Sequence, residues 1–328
     1  MSTPSNAAHL RVGESALVAK VEASIDYDET TRLANEAFDD PTAFDAAHMQ
    51  WLYERCFSEG STVISLFAGP RKVGQFAMVR QTIRTHDGSA EQAVQLVDLF
   101  VLQPFRSRAA LTALYGEVER QCREQGIRFA IGMPNASAIA VNEHFLGLQA
   151  HQWLSIHAGV SIMRPISPSL VIDERFTATN IDLYRAWLAP YMPASSDVGI
   201  HWTTETFCER LKNPRFPYAL HAVENLLLIS SPRVRRGTPY VLLCGYFARR
   251  GATVHPRDLH AVTRAACNAW RRPLFVYPGF NDALPTLPGW LLPQRLRPST
   301  MLIQLRDFHS DRLPLRLNRY QSLDFDFA

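Results

Sequence analysis

The feature that most constrains the fold of this chain is a strand that passes through a short basic turn into a helix, within residues 95–125. The run at residues 93–101 is apolar enough to predict a strand that is buried on both faces. After a turn that carries Pro104, apolar residues recur every three or four positions, which predicts an amphipathic helix; they are Leu111, Leu114, Tyr115, Val118 and Cys122. A strand at residues 128–132 and a short helix at residues 137–146 follow, so this order of elements predicts an α/β fold.

The turn between this strand and this helix is suited to a pyrophosphate group. A helix N-terminus offers unpaired backbone N–H groups and the positive end of the helix dipole. Arg106 and Arg108 are candidates to grip such a group, and the alternative is a solvated basic turn. Because arginine beside the positive end of a helix is unfavourable without an anion, we favour the binding role. Ser107 is predicted either to cap the helix or to contact the phosphate.

Composition limits the function classes. The 328 residues are 47% hydrophobic and 20% charged, which is enough to build the cores of two domains. A net charge of +3 is too small to argue for nucleic acid. The five cysteines are far apart and form no CxxC, which favours a reduced, cytoplasmic location. We expect no signal peptide and no membrane span, and His255 and His260 lack the spacing of a helical metal pair, so we predict no metal site.

The second half of the chain repeats the element order of the first. Leu274 follows Phe129 by 145 positions, and Val241 follows Leu96 by the same 145 positions. In the first half we predict helices at residues 26–38 and 42–57, followed by strands at 62–67, 74–84 and 93–101. In the second half we predict strands at 218–223, 226–230, 240–247 and 273–277, with a helix at 256–270 before the last strand. A segment rich in proline and serine at residues 163–169 predicts domains at 1–165 and 166–328.

Residues 97–148 resemble the GNAT superfamily, the N-acetyltransferases that use acetyl-CoA. In that family a strand ends in valine, and a loop of the form R-G-x-G-x-G/A leads into a helix. Here Val101 ends the strand and residues 106–111, Arg-Ser-Arg-Ala-Ala-Leu, fill the loop. The family often continues with an asparagine, a small residue three positions later and a tyrosine seven positions later, and here these are Asn135, Ala138 and Asn142.

The resemblance implies two GNAT-like domains, each a mixed, mostly antiparallel sheet flanked by helices, with a degenerate C-terminal half. It also implies a CoA thioester as co-substrate, either acetyl-CoA or another acyl-CoA. The residues that would bind it are Phe100, Val101, Arg106, Ser107, Arg108, Ala109, Ala110 and Asn135. We therefore expect an acyltransferase that moves the acyl group to an amine by direct attack.

Two departures from the family pattern leave other functions open. The loop glycines are replaced by Ser107, Ala109 and Leu111, and Asn142 stands in place of the tyrosine that serves as general acid. One alternative is an enzyme that uses a longer acyl group, on CoA or on a carrier protein. The other is a catalytically inactive GNAT-like module that binds a ligand. The expected partner is a small-molecule amine or an acyl carrier, and a homodimer contact through the second half is left open.

Three side chains are candidates for the chemistry. Asp98 lies inside an apolar strand, where a carboxylate acts either as a base or as half of an ion pair. Asn135 follows a strand and would hold the pantetheine arm or cap the next helix. His144 would replace the missing tyrosine as acid, or is an ordinary half-buried histidine.

Overall fold

The chain folds into two mixed sheets with helices packed against them. The computed structural model describes residues 16–57, 59–163, 172–177, 179, 181–192, 197–297, 301–309 and 314–325. The strands within these residues are β1 (Leu17–Val21), β2 (Ser61–Ala68), β3 (Arg71–Arg84), β4 (Ala90–Val101), β5 (Phe129–Gly132), β6 (Gln149–Trp153), β7 (Ile156–Val160), β8 (Ile172–Arg175), β9 (Gly199–Ile200), β10 (Ala219–Val223), β11 (Leu226–Arg235), β12 (Thr238–Ala248), β13 (Leu274–Asn281), β14 (Trp290–Leu291), β15 (Leu302–Asp307) and β16 (Arg319–Gln321). The helices are α1 (Tyr27–Phe38), α2 (Ala46–Glu54), α3 (Arg108–Glu124), α4 (Ile139–Leu146), α5 (Ile181–Leu188), α6 (Thr204–Arg210) and α7 (Pro256–Trp270).

The helix boundaries follow from local chemistry. Ser107 is the N-cap of α3, and its side chain accepts a hydrogen bond from the backbone N–H of Ala110 at 3.2 Å. Gly126 takes a φ of +65° just after α3, where a glycine ends a helix without strain. In the second half α7 begins with Pro256, whose fixed φ suits the first helical position.

The two sheets have the same strand order. The first runs β1-β2-β3-β4-β5-β15-β6, and the second, read from its opposite edge, runs β8-β10-β11-β12-β13-β7-β14. In each sheet the fourth strand pairs in parallel with the fifth, and the helix between them is α3 or α7. This order confirms the predicted repeat: β4 and β12 occupy the same place in their sheets.

Each half contributes to the sheet of the other half, and besides the strands described next, β9 of the second half pairs with β3 in the first sheet. Strand β7 pairs with β13 in the second sheet, and β15 pairs with β5 and β6 in the first. The predicted boundary between residues 165 and 166 therefore does not separate the two sheets, because a strand from each side of it crosses over. The segment that suggested this boundary, residues 163–169, lies outside the described residues apart from Met163.

The largest hydrophobic core belongs to both halves. It joins Leu33 and Leu114 of the first half to Phe207 and Leu220 of the second, all 1% exposed or less. A smaller core lies under α7. Because the main core and the exchanged strands cross between the halves, the second half takes part in building the surroundings of the first sheet.

Candidate active site

The first sheet opens at the point where β4 passes β5. Residues Ala93–Leu96 of β4 pair with residues Phe129–Gly132 of β5. Beyond Leu96, β4 continues without β5 beside it. The pairing of β3 with β4 shifts register between Gln75 and Ala77, so β4 carries a bulge at this point. Asp98 lies in the bulge with a φ of +52°, a left-handed conformation that aspartate tolerates better than most residues.

The opening changes the burial that the sequence predicts. Residues 93–101 are predicted to be buried on both faces, but Val97, Asp98 and Leu99 are only half-buried. The reason is that, among the residues that the structure describes, no strand pairs with this edge of β4 beyond Leu96. The prediction of a fully buried strand is therefore wrong at the three positions that border the opening.

Two adjoining cavities occupy this opening. The first has a volume of about 320 Å³ and is lined by Phe38, Phe76, Gln95, Leu96, Val97, Asp98, Leu99, Gly132, Met133, Pro134, Asn135, Ala138, Asn142, Met301 and Phe325. The second has a volume of about 490 Å³ and is lined by Ala37, Phe38, Leu99, Phe100, Val101, Arg106, Ser107, Leu111, Asn135, Ser137, Ala138 and Val141. The cavities share Phe38, Leu99, Asn135 and Ala138, so they form one groove from the N-terminus of α3 to the bulge of β4. We call this groove the cleft.

Five predicted cofactor-binding residues line the second cavity: Phe100, Val101, Arg106, Ser107 and Asn135. Arg108, Ala109 and Ala110 form the first turn of α3 beside it. Leu111, which replaces a family glycine, lies in the cavity wall and leaves the cavity open beside it. The sequence thus identifies one wall of the cleft.

The two arginines of the turn are arranged differently. The side chain of Arg106 folds back, donating from Nε to the carbonyl of Val101 at 2.9 Å and from Nη2 to the carbonyl of Ala37 at 2.5 Å. Arg108 is exposed at the helix start, with Nη2 3.4 Å from Nε2 of His144. Arg106 therefore joins α1 to β4, while Arg108 lies exposed in the first turn of α3 and lines neither cavity.

Asn135 and Asp98 both border the first cavity, but His144 does not. The Asn135 carboxamide accepts from the backbone N–H of Ala138 at 3.0 Å and from Ser137 Oγ at 2.7 Å, so it caps the turn into α4. His144 lies exposed on α4 with its ring edge against Phe145. The structure brings Asp98 and the predicted cofactor-binding residue Asn135 to one cavity and places His144, the other catalytic candidate, outside both cavities.

Asp98 is held by a tyrosine that the sequence reading missed. Tyr53 of α2 is 1% exposed and donates its O–H to Oδ2 of Asp98 at 2.7 Å. Its oxygen accepts from Nε2 of Gln75 at 2.8 Å, and Oε1 of Gln75 accepts from Lys72 at 3.0 Å. Burial lowers the pKa of Lys72, while its ion pair with Glu22 acts in the opposite direction. A tyrosine within an apolar helix gives no local signal for this role, because only the fold brings α2 to the bulge.

Another polar group lies on the opposite wall. The Tyr115 hydroxyl donates to Oδ1 of Asn142 at 2.5 Å, and Nδ2 of Asn142 donates to Oε1 of Gln304 at 2.9 Å. Burial raises the pKa of Tyr115 well above the ordinary value for a phenol. Tyr115 is core, as its place on the helix stripe predicts, and it anchors the Asn142 side chain that lines the cavity.

The second half closes the cleft from one side. Met301, next to β15, and Phe325, after β16, both line the first cavity. The backbone carbonyl of Phe325 accepts from Nη2 of Arg210 at 2.8 Å, and Arg210 is fully buried against the ring of Trp51. Neither wall residue is detectable from the sequence, because both lie more than 150 residues from the strands they face.

The matching gap in the second sheet is filled by the chain itself. Strands β12 and β13 pair only through Val241 and Leu242, and then they separate. Strand β16 occupies the space between them and pairs with β13. The side-chain oxygen of Gln321 accepts from the N–H of Tyr246 at 2.7 Å and from the hydroxyl of Tyr277 at 3.0 Å. A protein side chain therefore satisfies the strand edge that a ligand would otherwise meet.

The second half has a cavity of about 830 Å³ in a different place, between α7 and the pair β7 and β14. Its wall includes Trp290, which is 73% exposed, and Arg257. This cavity lies away from the gap between β12 and β13. Among the residues that the structure describes, no helix is long and apolar enough to cross a membrane, and no group of three histidine, cysteine or acidic side chains could hold a metal.

Comparison with known proteins points to one family. Residues 21–145 match the family model for the acetyltransferase (GNAT) domain. A search of curated proteins finds no significant match. The matched region contains β4, its bulge and all of α3, and so it covers the residues that form most of the cleft.

Three solved structures share the fold. A probable N-acyltransferase from Enterococcus faecalis, described as a conserved protein of unknown function, is 12% identical, with 89% of this chain and 72% of that chain covered and a TM-score of 0.63. A GCN5-related N-acetyltransferase from Kribbella flavida is 13% identical, with coverage of 89% and 71% and a TM-score of 0.61. The Saccharomyces cerevisiae N-myristoyltransferase with bound myristoyl-CoA is 12% identical, with coverage of 94% and 83% and a TM-score of 0.57. At these identities the likeness concerns the fold, and it extends over both sheets.

Proposed function

Because residues 21–145 match the family model for the acetyltransferase (GNAT) domain, we propose that the chain transfers an acyl group from a CoA thioester to an amine. The observation that carries this proposal is the cleft, which joins the N-terminus of α3 to the carboxylate of Asp98. The sheet edges that border it, β4 beyond Leu96 and β5 beyond Gly132, do not pair with each other.

The donor binds along the second cavity. A helix cannot satisfy the N–H groups of its own first turn, so those of Arg108 and Ala109 are suited to the pyrophosphate of CoA. The Arg108 guanidinium adds a charge in the first turn of α3. The pantetheine arm follows the cavity past Leu111 and Asn135 toward the bulge.

The transfer takes place at Asp98 without a covalent enzyme intermediate. The ammonium group first loses a proton to solvent, and the neutral nitrogen then forms a bond to the thioester carbonyl carbon. The second proton passes from that nitrogen to the Asp98 carboxylate, which later releases it to solvent. The carbon–sulfur bond then breaks, and the CoA sulfur takes a proton from solvent. Burial raises the pKa of the Cys122 thiol to about 12 and leaves it an inert core residue, which agrees with direct transfer.

The size of the first cavity favours a bulky partner. Its 320 Å³ corresponds to about ten water molecules at roughly 30 Å³ each, far more than an acetyl group needs. The walls are mostly aromatic and aliphatic, and Asp98 is the charged side chain among them. A longer acyl chain on the donor, or an amine with an apolar body, would fill this space. We use phenethylamine as the amine probe, because it combines an aromatic ring with a cationic nitrogen.

The five free cysteines are all buried, which supports the cytoplasmic location that we propose. We also propose two domains in sequence order, 1–165 and 166–328, of which the first binds the donor and the second supplies part of its wall. An inactive binding module remains the rival function, and the experiment below separates it from an enzyme.

Calorimetry with CoA tests the assignment of the donor site. Arg108→Glu is expected to weaken CoA binding about tenfold, because it replaces a favourable charge at the helix N-terminus with a repulsive one. The matched control is Arg257→Glu, which makes the same charge change in the first turn of α7, where the side chain is 81% exposed. If Arg108→Glu and Arg257→Glu bind CoA with equal affinity, the assignment of the donor site to the start of α3 is wrong.

An assay of thiol release from acetyl-CoA and octanoyl-CoA with phenethylamine tests catalysis. Transfer by the wild-type protein is the expected result, and faster transfer from octanoyl-CoA would favour the longer donor. CoA binding without transfer to any primary amine would support the inactive module instead.

A further inference from the structure

Lys72 determines which atoms of Gln75 and Tyr53 donate hydrogen bonds and which accept them in the chain of contacts that leads to Asp98. The Lys72 side chain is 2% exposed, and its ammonium donates to Oε2 of Glu22 at 2.7 Å, to Oγ1 of Thr30 at 2.8 Å and to Oε1 of Gln75 at 3.0 Å. An ammonium has three donors and no acceptor, so these contacts use all of its hydrogens. The Gln75 atom that faces Lys72 must therefore be the oxygen, and the orientation of this carboxamide is decided.

The orientation of Gln75 in turn decides how Tyr53 uses its hydroxyl. The nitrogen of Gln75 faces the Tyr53 oxygen at 2.8 Å and can only donate to it. A phenol carries a single hydrogen, and that hydrogen is directed to Oδ2 of Asp98 at 2.7 Å. Gln75 is fully buried and Tyr53 is 1% exposed, so bulk water does not compete for these groups.

We propose that Tyr53 is a positioning residue for Asp98, and that Gln75 and Lys72 serve to keep its hydroxyl pointed at the carboxylate. The inference rests on the proposed function, since it concerns the base of that reaction. A hydrogen bond donated to one oxygen limits rotation of the Asp98 carboxylate within the bulge and stabilises its charged form. During the transfer Tyr53 keeps its own proton, and the proton of the amine goes to Asp98 alone.

The geometry predicts an unusual effect for a nearly isosteric change, Gln75→Glu. A carboxylate at this place accepts both from Lys72 and from the Tyr53 hydroxyl, so it draws the Tyr53 hydrogen away from Asp98. The added negative charge lies next to the Lys72 ammonium and pairs with it, so we expect the variant to keep its fold. Tyr53→Phe removes the same hydrogen bond from the other end.

The test is a double-variant cycle with acetyl-CoA and phenethylamine. Tyr53→Phe and Gln75→Glu are each expected to lower kcat about ten- to hundredfold with little change in KM for acetyl-CoA, and the double variant is expected to be no slower than either. Thr30→Val is the control: it removes a different Lys72 contact, leaves Gln75 in place and should keep kcat within about twofold. Additive losses in the double variant, or a normal kcat for Tyr53→Phe, would overturn the inference.

A crystal structure of the Gln75→Glu variant tests the same point without any activity. We expect the Tyr53 oxygen to move beyond hydrogen-bond distance of Asp98, and an unchanged 2.7 Å contact would overturn the inference. Asp98→Asn separates this inference from the proposed function. If Asp98→Asn retains full transfer, the base assignment fails; if it abolishes transfer while Tyr53→Phe does not slow it, only the role of Tyr53 fails.

Discussion

The two sheets share a strand order but treat the gap between their fourth and fifth strands in opposite ways. In the first sheet the gap between β4 and β5 holds cavities of about 320 and 490 Å³. In the second sheet the gap between β12 and β13 is occupied by β16, with Gln321 bonded to both sides. One gap is open to a ligand and the other is closed by the end of the described chain.

The two fourth strands also differ in the side chain that each presents at its bulge. Strand β12 also shifts register against β11, between Ile229 and Ser230, so both sheets keep a bulge on the fourth strand. The bulge of β4 presents Asp98, while that of β12 carries Cys244, whose thiol pKa is raised by burial to about 11. A bulge at the same place in the strand order therefore carries a charged, half-buried group in one half and an inert core thiol in the other.

Asp98→Asn gives the largest expected effect on this comparison. Loss of a general base lowers rates by about 10²- to 10⁴-fold, so thiol release from acetyl-CoA with phenethylamine should fall by that amount. CoA affinity measured by calorimetry should stay near that of the wild type. If the variant unfolds, the role of Asp98 is structural, through its hydrogen bond with Tyr53. The bulge of β4 then has no catalytic role that distinguishes it from the bulge of β12.

Gln321→Leu tests the closed gap. The variant leaves the N–H of Tyr246 and the hydroxyl of Tyr277 without their buried acceptor, which should lower the free energy of unfolding by about 2–4 kcal/mol. Urea unfolding followed by tryptophan fluorescence measures this loss. The matched change at the open cleft, Asn135→Ala, removes a cap and should cost only about 1 kcal/mol. A smaller loss for Gln321→Leu than for Asn135→Ala would show that β16 does not hold the second gap shut.

Ser107→Ala tests the helix that begins at the open cleft. Removing the cap on Ala110 should lower the free energy of unfolding by about 1 kcal/mol, whereas Ser107→Thr should keep most of it because threonine also caps helices. Thermal unfolding with and without CoA provides the measurement. If Ser107→Ala abolishes the stabilisation by CoA, the hydroxyl is a ligand contact as well as a cap.

His144→Ala should have the smallest effect. The side chain is exposed and lies outside the cleft, so stability should change by no more than about 0.5 kcal/mol and transfer by no more than about twofold. Steady-state rates with acetyl-CoA across pH 5–9 provide the check. If this variant loses transfer activity at the acidic end of the pH range, His144 takes part in catalysis.

Local pattern predicts the elements of the fold well. The stripe from Leu111 to Cys122 predicts α3, and the structure has it at Arg108–Glu124, ended near Gly126 as expected. The helix predicted at residues 256–270 is confirmed with the same bounds. The common offset of 145 positions predicts that β4 and β12 correspond, because a duplicated order of elements repeats its hydrophobic pattern.

Site residues near the turn are also predictable, but contacts across the fold are not. Ser107 caps α3, and Asn135 caps the turn that precedes α4, roles that their residue types favour. The exchange of β7 and β15 is invisible in the sequence, because an apolar strand has the same pattern whichever sheet it joins. For that reason the predicted domain boundary, which follows sequence order, carries no information on which sheet β7 and β15 join.

The sequence by itself therefore determined the strand-turn-helix unit, its capping residues, the repeated order of elements and the presence of a carboxylate on the fourth strand. Only the tertiary structure decided that the first gap stays open, that the second is closed by Gln321, and that Tyr53 and Phe325 border Asp98. The physical reason is range: hydrogen-bonded turns and hydrophobic periodicity act over a few residues. A cleft is instead formed where segments hundreds of residues apart pack together or leave a space.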